Sequence, residues 1–475
     1  MTETFLPRTS TVDEGIEARA VDAFLSAADA ADAGLHSFMV VRHGNVAAEG
    51  WWAPYTPERE HMMFSISKSF TSTAIGLAQD DGLLSVDEPI LAFFPGQASR
   101  AARKAASEVR VHDLLTMSTG HQTDTFPIMK ALPDSDWVRV FFDVPFTFPP
   151  GSHFLYNTGA TYVLSAALAA RTGQTVGEYL RPRLFDPLGI PVRPWATSPA
   201  GIPLGGTGLR ATTEDIAKLG QLYLQRGVWK GRRLLSETWV DASTSKQVDN
   251  SSTAPDWAQG YGYQFWRSRH SSYRADGAFG QFAFVLPELD TVVAITAGQK
   301  ENWRIPDLVW DHLLPGILGD GQAASNDRTN DLRDHIERLE ISGPHLADGS
   351  HELEGREFAA AFNRLGIASA RAVREADLWT LELVDADGAH HWVNGAKDQW
   401  VAGETSLWFD DEIRKTATAT RAGLSSDGAI EFHEQCLETV YRRVWRIEGA
   451  SHGAVLTVSL TVVGSTEDTE VIPLT

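Results

Sequence analysis

The sequence predicts an α+β chain with an antiparallel β unit behind it, and three observations carry that prediction. An alanine-rich helical pattern over residues 13–33 feeds directly into a two-strand hairpin, which is how a sheet covered by helices begins. Helical signals then dominate from Val111 to about Pro191 before strands return, so a helical lobe over roughly residues 100–200 is set into the sheet unit. The stretch 319–331 is polar and holds no large apolar residue, and the pattern beyond it changes to short strands. Residues 1–318 are therefore expected as one unit, 319–331 as a linker and 332–475 as a C-terminal antiparallel β domain, either barrel or sandwich.

The elements follow in order. Ile16, Ala20, Phe24, Ala27 and Ala28 recur at helical spacing, and Gly34 stops the first helix. Ser37 to Trp51 reads as two strands around His43-Gly44-Asn45. Ser65 to Gly82 is expected as a helix with Ile66, Phe70, Ala74 and Leu77 on one apolar stripe. In the lobe the clearest helices are Val111–Leu115, Trp137–Phe142 and Gly159–Arg171. Thr212, three residues ahead of Asp215, opens a capping-box helix that runs to Gln225. Gly260–Trp266, Gly280–Leu286 and Thr291–Thr296 read as successive antiparallel strands, and Trp303–Leu318 as one closing helix. Past the linker, Leu378–Val384, Thr416–Thr420, Thr439–Ile447 and Ala454–Val463 are strand-like, with Asp387-Gly388 as a hairpin turn.

Charge and composition narrow the function. A formal charge of −21 repels polyanions, which argues against nucleic acid and anionic membrane surfaces as partners and mildly disfavours anionic substrates. No run reaches the roughly 18 apolar residues of a membrane span. Met1 to Gly15 has neither a basic lead nor an apolar core, so a secretory leader is not expected and a cytoplasmic address fits. The single cysteine, Cys436, excludes an internal disulfide and reads as a buried residue, and no Cys/His set has zinc spacing. His390-His391 lack a third ligand nearby and read as a solvated strand pair, while Trp51, Trp52 and Trp137 suit core packing at least as well as a substrate wall. Nothing in the sequence decides oligomeric state, and a homo-oligomer is compatible with it.

Three segments carry chemistry. Ser65-Ile66-Ser67-Lys68 puts a hydroxyl and an amine one helical turn apart on one face, as a nucleophile and its base need, with the helix N-terminus favouring a developing oxyanion. Tyr156, within Pro150–Gly159, stands in a turn before a helix; a phenol near the lysine ammonium is expected to have its pKa lowered and to pass a proton between Ser65 and a leaving group. Glycines at 277 and 280 permit close backbone approach in Ala275-Asp276-Gly277-Ala278-Phe279-Gly280-Gln281, so the amide of Ala278 can join that of Ser65 in an oxyanion hole.

Together these segments resemble the serine β-lactamase and penicillin-binding-protein superfamily, most nearly the class C β-lactamase-like group that includes family VIII carboxylesterases, D-aminopeptidases and nylon-oligomer hydrolases. The likeness spans roughly residues 20–315. It also rests on Val41-Arg42-His43-Gly44, Leu114–His121, Pro150-Gly151-x-x-Phe154-x-Tyr156, Gly205–Leu209 leading to Thr213-x-Asp215, and Pro287-Glu288. The resemblance implies an α/β/α sandwich with an antiparallel sheet, a helical lobe, and a cleft between them that runs acyl-enzyme chemistry without metal or organic cofactor. Two departures stand out. The family's usual Tyr-x-Asn is here Tyr156-Asn157-Thr158, and the Lys-Thr-Gly of β-lactamases is Ala275-Asp276-Gly277, so the lysine that meets a substrate carboxylate is missing. Asn157, Thr158, Ala275, Gly277 and His121 are the expected substrate-contacting residues. The expected function is a serine hydrolase that cleaves a small ester or amide through an acyl-enzyme on Ser65. β-Lactamase or D-peptidase activity, or a binding or sensing module without turnover on the same fold, stays open.

Overall fold

The computed structural model describes residues 5–318, 324, 328–407, 415–451 and 453–475. Helix α1 (Ala18–Ala30) leads into strands β1 (Leu35–Arg42) and β2 (Asn45–Trp51), and α2 (Ile66–Asp80) follows. The helical lobe contributes α3 (Thr158–Thr172), and α4 (Thr213–Leu224) starts on Thr212, whose side chain accepts from the Asp215 amide. Strands β3 (Trp266–Arg267), β4 (Tyr273–Gly277), β5 (Gln281–Leu286) and β6 (Thr291–Ala297) complete a six-stranded antiparallel sheet in the order β2-β1-β6-β5-β4-β3.

Strand alternation sorts the core into two layers. Met39, Val41, Ala275, Val285 and Ala294 pack toward α2 and α4, whereas Phe38, Val40, Phe284 and Ile295 pack toward α1 and the turns around Ile305–Leu313. The result is a sheet covered by helices on both faces.

Three expectations about elements are corrected. Residues 261–265 are not a strand: Gln264 has φ +62°, and the segment wraps α2, its Tyr263 and Gln264 carbonyls accepting from Ser72 Oγ (2.7 Å) and Ser69 Oγ (2.8 Å). Residues 302–316 form a broken run of 3-10, α and π turns rather than one helix, with Pro306 and Pro315 each removing a backbone donor. Helix α2 is not amphipathic but buried on all sides from Ile66 to Ala78. Its hydroxyls make this tolerable, because Ser69, Thr71 and Ser72 each donate to the carbonyl of a surrounding loop.

Of the expected linker, residues 319–323 and 325–327 lie outside the described residues, and helix α5 (Thr329–Ile336) already begins at Thr329. Beyond it come β7 (Glu357–Ala359), β8 (Ile367–Glu375), β9 (Leu378–Asp385), β10 (His390–Ala396), β11 (Val401–Thr405), β12 (Thr416–Leu424), β13 (Ile430–Cys436), β14 (Arg442–Ala450), β15 (Gly453–Val462) and β16 (Ser465–Leu474). They run β7-β8-β9-β10-β12-β13-β14-β15-β16, with β11 on the side of β12. All pairs are antiparallel except β10 with β12. Ala359 and Thr475 exchange both backbone hydrogen bonds at 2.9 Å, which joins the first strand to the last and closes the sheet into a barrel. Its interior is filled by Trp379, Phe432, Trp445 and aliphatic neighbours. Cys436 is buried, and among the described residues no three His, Cys, Asp or Glu side chains form a metal-holding group. Among them, too, no helix is long and apolar enough to cross a membrane.

Leu332, Leu339 and Ile341 pack into the core of the six-stranded sheet, and Ala53 bonds to the backbone of Leu339 and Ile341 at 2.9 Å each. A shortened chain ending at Asp331 is therefore expected to melt several degrees below one ending at Ser342, since each lost apolar side chain removes about 1.5–3 kcal/mol of burial. Equal melting temperatures for the two would show that this segment adds nothing.

Candidate active site

The chain reaches Ser65 through a constrained approach. His61-Met62 pairs with Arg210-Ala211, and the Met63 amide donates to the Leu209 carbonyl at 2.9 Å. Phe64 has φ +45°, a conformation costly for a non-glycine residue, and its ring lies 5.2 Å from that of Phe279, which is also left-handed at φ +63°. This contact holds the 278–280 turn beside the start of α2. Among the described residues the amides of Ser65 and Ala278 find no backbone acceptor, so both remain available to an oxyanion.

Ser65 stands at the N-cap of α2, yet its side chain makes no capping bond. Its Oγ instead lies 2.9 Å from Lys68 Nζ. The same Nζ donates to the Gly206 carbonyl at 2.7 Å and to Thr158 Oγ1 at 3.3 Å. Gly206 can come this close because it lacks a Cβ, which would lie 2.8 Å from Thr158 Cγ2. Lys68 is 1 % exposed, and burial pushes its pKa down to about 7 against the opposing fields of Asp124 and Asp276. A neutral amine has two N–H donors and one lone pair. With Gly206 and Thr158 taking those two donors, a neutral Lys68 would have its lone pair free to accept from Ser65 Oγ.

Tyr156 departs from expectation. Its ring lies under Lys68, with Nζ 4.8 Å from the centroid, and stacks on Trp266 at 5.4 Å. Burial pushes the phenol's pKa up rather than down, with Ser65 and Trp266 pulling weakly the other way. The reason is that Lys68 itself is buried and easily deprotonated, so it offers no steady positive charge to hold a phenolate. The pair is thus split into a low-pKa amine and a high-pKa phenol, a separation that suits a base and an acid.

The expected substrate contacts divide. Asn157 sits in extended backbone between Tyr156 and Thr158, so its neighbours share one side while it points away. It is wholly buried, and its Oδ1 accepts from the Thr125 amide (3.1 Å) and hydroxyl (2.9 Å). Thr158 is the residue turned toward Lys68. Ala275 is 1 % exposed in the core beneath α2, out of reach of a substrate. Gly277 lets β4 press on the segment before Ser65, because a Cβ there would lie 2.4 Å from the Met63 carbonyl oxygen. His121 is wholly buried between Phe141 and Phe146, with Nδ1 2.9 Å from Thr119 Oγ1 and Nε2 3.2 Å from the Phe141 carbonyl; burial pushes its pKa down to about 4. It packs the lobe and does not line the cleft.

Asp124, Gly206, Trp266 and Tyr261 were not anticipated. Asp124 is half-buried and its field acts on both Lys68 and Tyr156, while Tyr261 meets the Tyr156 ring edge-on at 6.2 Å. Only the Gly205-Gly206 pair offered a signal, as a place where backbone can approach closely. Arg274 stays out of the cleft: its guanidinium is buried on Asp276 (2.8 Å), the Asp256 carbonyl (2.9 Å) and the face of Trp257 (4.4 Å).

Comparison with known proteins identifies the fold and the family. A curated relative, the 6-aminohexanoate-dimer hydrolase of Paenarthrobacter ureafaciens, is 24% identical over 318 residues, covering 60% of this chain and 77% of that protein. A structure from Bacillus anthracis, provisionally described as a 6-aminohexanoate-dimer hydrolase, covers 66% of this chain and 87% of its own at TM-score 0.55 and 19% identity. The octameric penicillin-binding protein homologue of Pyrococcus abyssi covers 95% of this chain and 100% of its own at TM-score 0.52 and 16% identity, so the likeness of fold extends into the C-terminal barrel. The family model described as Beta-lactamase matches residues 21–307, the span that holds Ser65, Lys68, Tyr156 and every strand of the six-stranded sheet, and the chain belongs to that family of hydrolases.

Proposed function

We propose that this protein is a serine hydrolase that cleaves a small ester or amide through an acyl-enzyme on Ser65. The observation that carries the reading is the setting of buried Lys68, whose Nζ lies 2.9 Å from Ser65 Oγ and is held there by the Gly206 carbonyl and Thr158 Oγ1. Neutral Lys68 takes the Ser65 proton as Oγ attacks the carbonyl carbon. The amides of Ser65 and Ala278 hold the oxyanion, and the protonated Tyr156 phenol delivers a proton to the leaving group. Lys68 hands the Ser65 proton on to the Tyr156 phenolate and is neutral again, so it can take a proton from the water that attacks the acyl carbon and return it to Ser65 Oγ as the acid leaves.

The pH profile tests the role of Lys68. The amine must be deprotonated to act, so kcat/KM is expected to rise with pH through about 7, the value to which burial pushes Lys68, and to level off above it. A rate that falls with rising pH across that range would assign the base to another group.

Substrate class follows from what the cleft lacks. Arg274, beside the place of the missing lysine, is committed to Asp276, and Asp124 adds a negative field. A substrate carboxylate therefore meets no cation of the kind that contributes roughly 10- to 150-fold in specificity. Neutral short-chain esters or amides are expected to be turned over at least about tenfold more efficiently than nitrocefin. Comparable kcat/KM values would favour β-lactamase activity instead. The likeness to a 6-aminohexanoate-dimer hydrolase supports including anilides in the same panel. Introducing lysine at Ala275, which the missing family lysine suggests, is not a useful complement, because that side chain is enclosed by the core.

A further inference from the structure

A cavity of about 180 Å³ lies where the six-stranded sheet meets the barrel, between the end of α1 and start of β1 on one side and strands β13 to β15 on the other. Arg442 lines it. Among the described residues its guanidinium forms no hydrogen bond and no ion pair; the residue is half-buried, and burial pushes its pKa down against the fields of Tyr55 and Asp32. The contrast with its neighbours is sharp: Arg443 is paired with Glu434 at 2.6 Å, and Arg446 with Asp427 and Glu431 at 2.6 Å each. A desolvated, unpaired guanidinium is costly, and its planar fork matches a carboxylate.

The other polar groups of the cavity are mostly spent. His36 is kept neutral by burial, with Nδ1 2.9 Å from His61 Nε2, and the Gln435 amide donates to the Tyr55 hydroxyl at 2.7 Å. At the rim, Asp29 accepts from the Trp52 indole at 3.2 Å, and Glu340 accepts from the Trp400 indole at 2.9 Å and pairs with Arg421. Asp32, like the buried and unpartnered Gln435 Oε1, is an exception. It is exposed at the mouth, directly after α1, and its carboxylate forms no hydrogen bond or ion pair among the described residues.

We infer that this seam cavity is a binding site for a small zwitterion of amino-acid size, its carboxylate paired with Arg442 and its ammonium with Asp32. The volume suits an occupant of this size, being below the roughly 300–1,000 Å³ of sites that take drug-sized ligands. An interior cation with an exposed carboxylate at the mouth also sets the orientation. A simple anion would satisfy Arg442 but would face Asp32, Asp29 and Glu340 at the entrance, whereas an ammonium turns that field to advantage. The site adjoins a seam that reaches toward the nucleophile: the Met62 amide donates to the Glu438 carbonyl at 3.0 Å, and His36 leans on His61.

The test is calorimetric titration of the full chain with glycine, β-alanine and 4-aminobutyrate, alongside acetate and methylammonium. At least one amino acid is expected to bind saturably with one-to-one stoichiometry, acetate more weakly, and methylammonium not at all. Arg442→Gln should weaken the amino acid at least about tenfold, the loss of one charge-assisted pair. Asp32→Asn, at an exposed position with no bonds to lose, should reduce the amino acid to the level of acetate. Absence of saturable binding for every amino acid would overturn the inference, as would an affinity unchanged by Arg442→Gln. Should Arg442→Gln fail to fold, Asp32→Asn decides alone, since an undiminished preference for the amino acid over acetate rules out the proposed pairing.

Discussion

Ser65→Ala is expected to reduce turnover by on the order of 10³-fold or more while leaving the fold intact, because it removes the hydroxyl proposed to attack the bound carbonyl. The selectivity comes from how α2 uses its other hydroxyls. Ser69, Thr71 and Ser72 donate to the carbonyls of Gln264, Gly205 and Tyr263, and Ser67 accepts from the Leu209 amide. All four are buried, whereas Ser65 is half-exposed and bonded to Lys68. Stability should change little, since the Lys68 amine keeps Gly206 and Thr158. The measurement is intact mass after treatment with a fluorophosphonate, with the adduct mapped by peptide sequencing. A single adduct on Ser65, absent in the variant, is the expected result; an adduct elsewhere in the wild-type protein would overturn the mechanism.

Tyr156→Phe should cost about 10²- to 10⁴-fold in turnover, the range for a positioned acid or base, with a melting temperature close to that of the parent. Only the phenol oxygen is removed. The ring contacts to Lys68, Trp266 and Tyr261 are kept. Because burial holds the phenol protonated, its proposed task is to give a proton to the departing group. The deficit should therefore be largest for an alkyl ester or amide, whose leaving group needs that proton, and smaller for a nitrophenyl ester, whose leaving group does not. A variant that melts lower yet keeps its rates on both substrates would make Tyr156 a packing residue.

The site divides along the same line that separates local from distant contacts. Ser65 and Lys68 were legible together because an i, i+3 pair on a helix is neighbourly by geometry alone. Thr212 with Asp215, the hairpin of β1 and β2, and the barrel strands β9, β12, β14 and β15 were legible for the same reason: turn chemistry and short-range periodicity determine them. Tyr156 could be named as a partner, but whether Asn157 or Thr158 faced the amine depended on one step of alternation at the start of α3, which no pattern in the chain marks. The depression of Lys68 and the elevation of Tyr156 both come from burial by residues far away in sequence, Gly206 and Trp266 among them. Reading each titratable group by its nearest charged neighbour accordingly gave the wrong direction for the phenol.

Glycine was read correctly as a mark of close approach at 277, but not what it approaches; that is the Met63 carbonyl, over 200 positions away in sequence and brought there only by the packing of β4 on α2. His121 and Ala275 look free in the sequence and are enclosed in the fold. What the sequence by itself determined is the chemistry on offer: a hydroxyl and an amine one turn apart, a phenol in a turn before a helix, a glycine-rich stretch ahead of a strand, and a change to short strands near residue 330. What only the tertiary structure decided is the electrostatic state of that chemistry, which side chains reach it, and the closure of the barrel through Ala359 and Thr475. The physical reason is that desolvation and backbone pairing are sums over neighbours in space, and a chain fixes those neighbours only once it has folded.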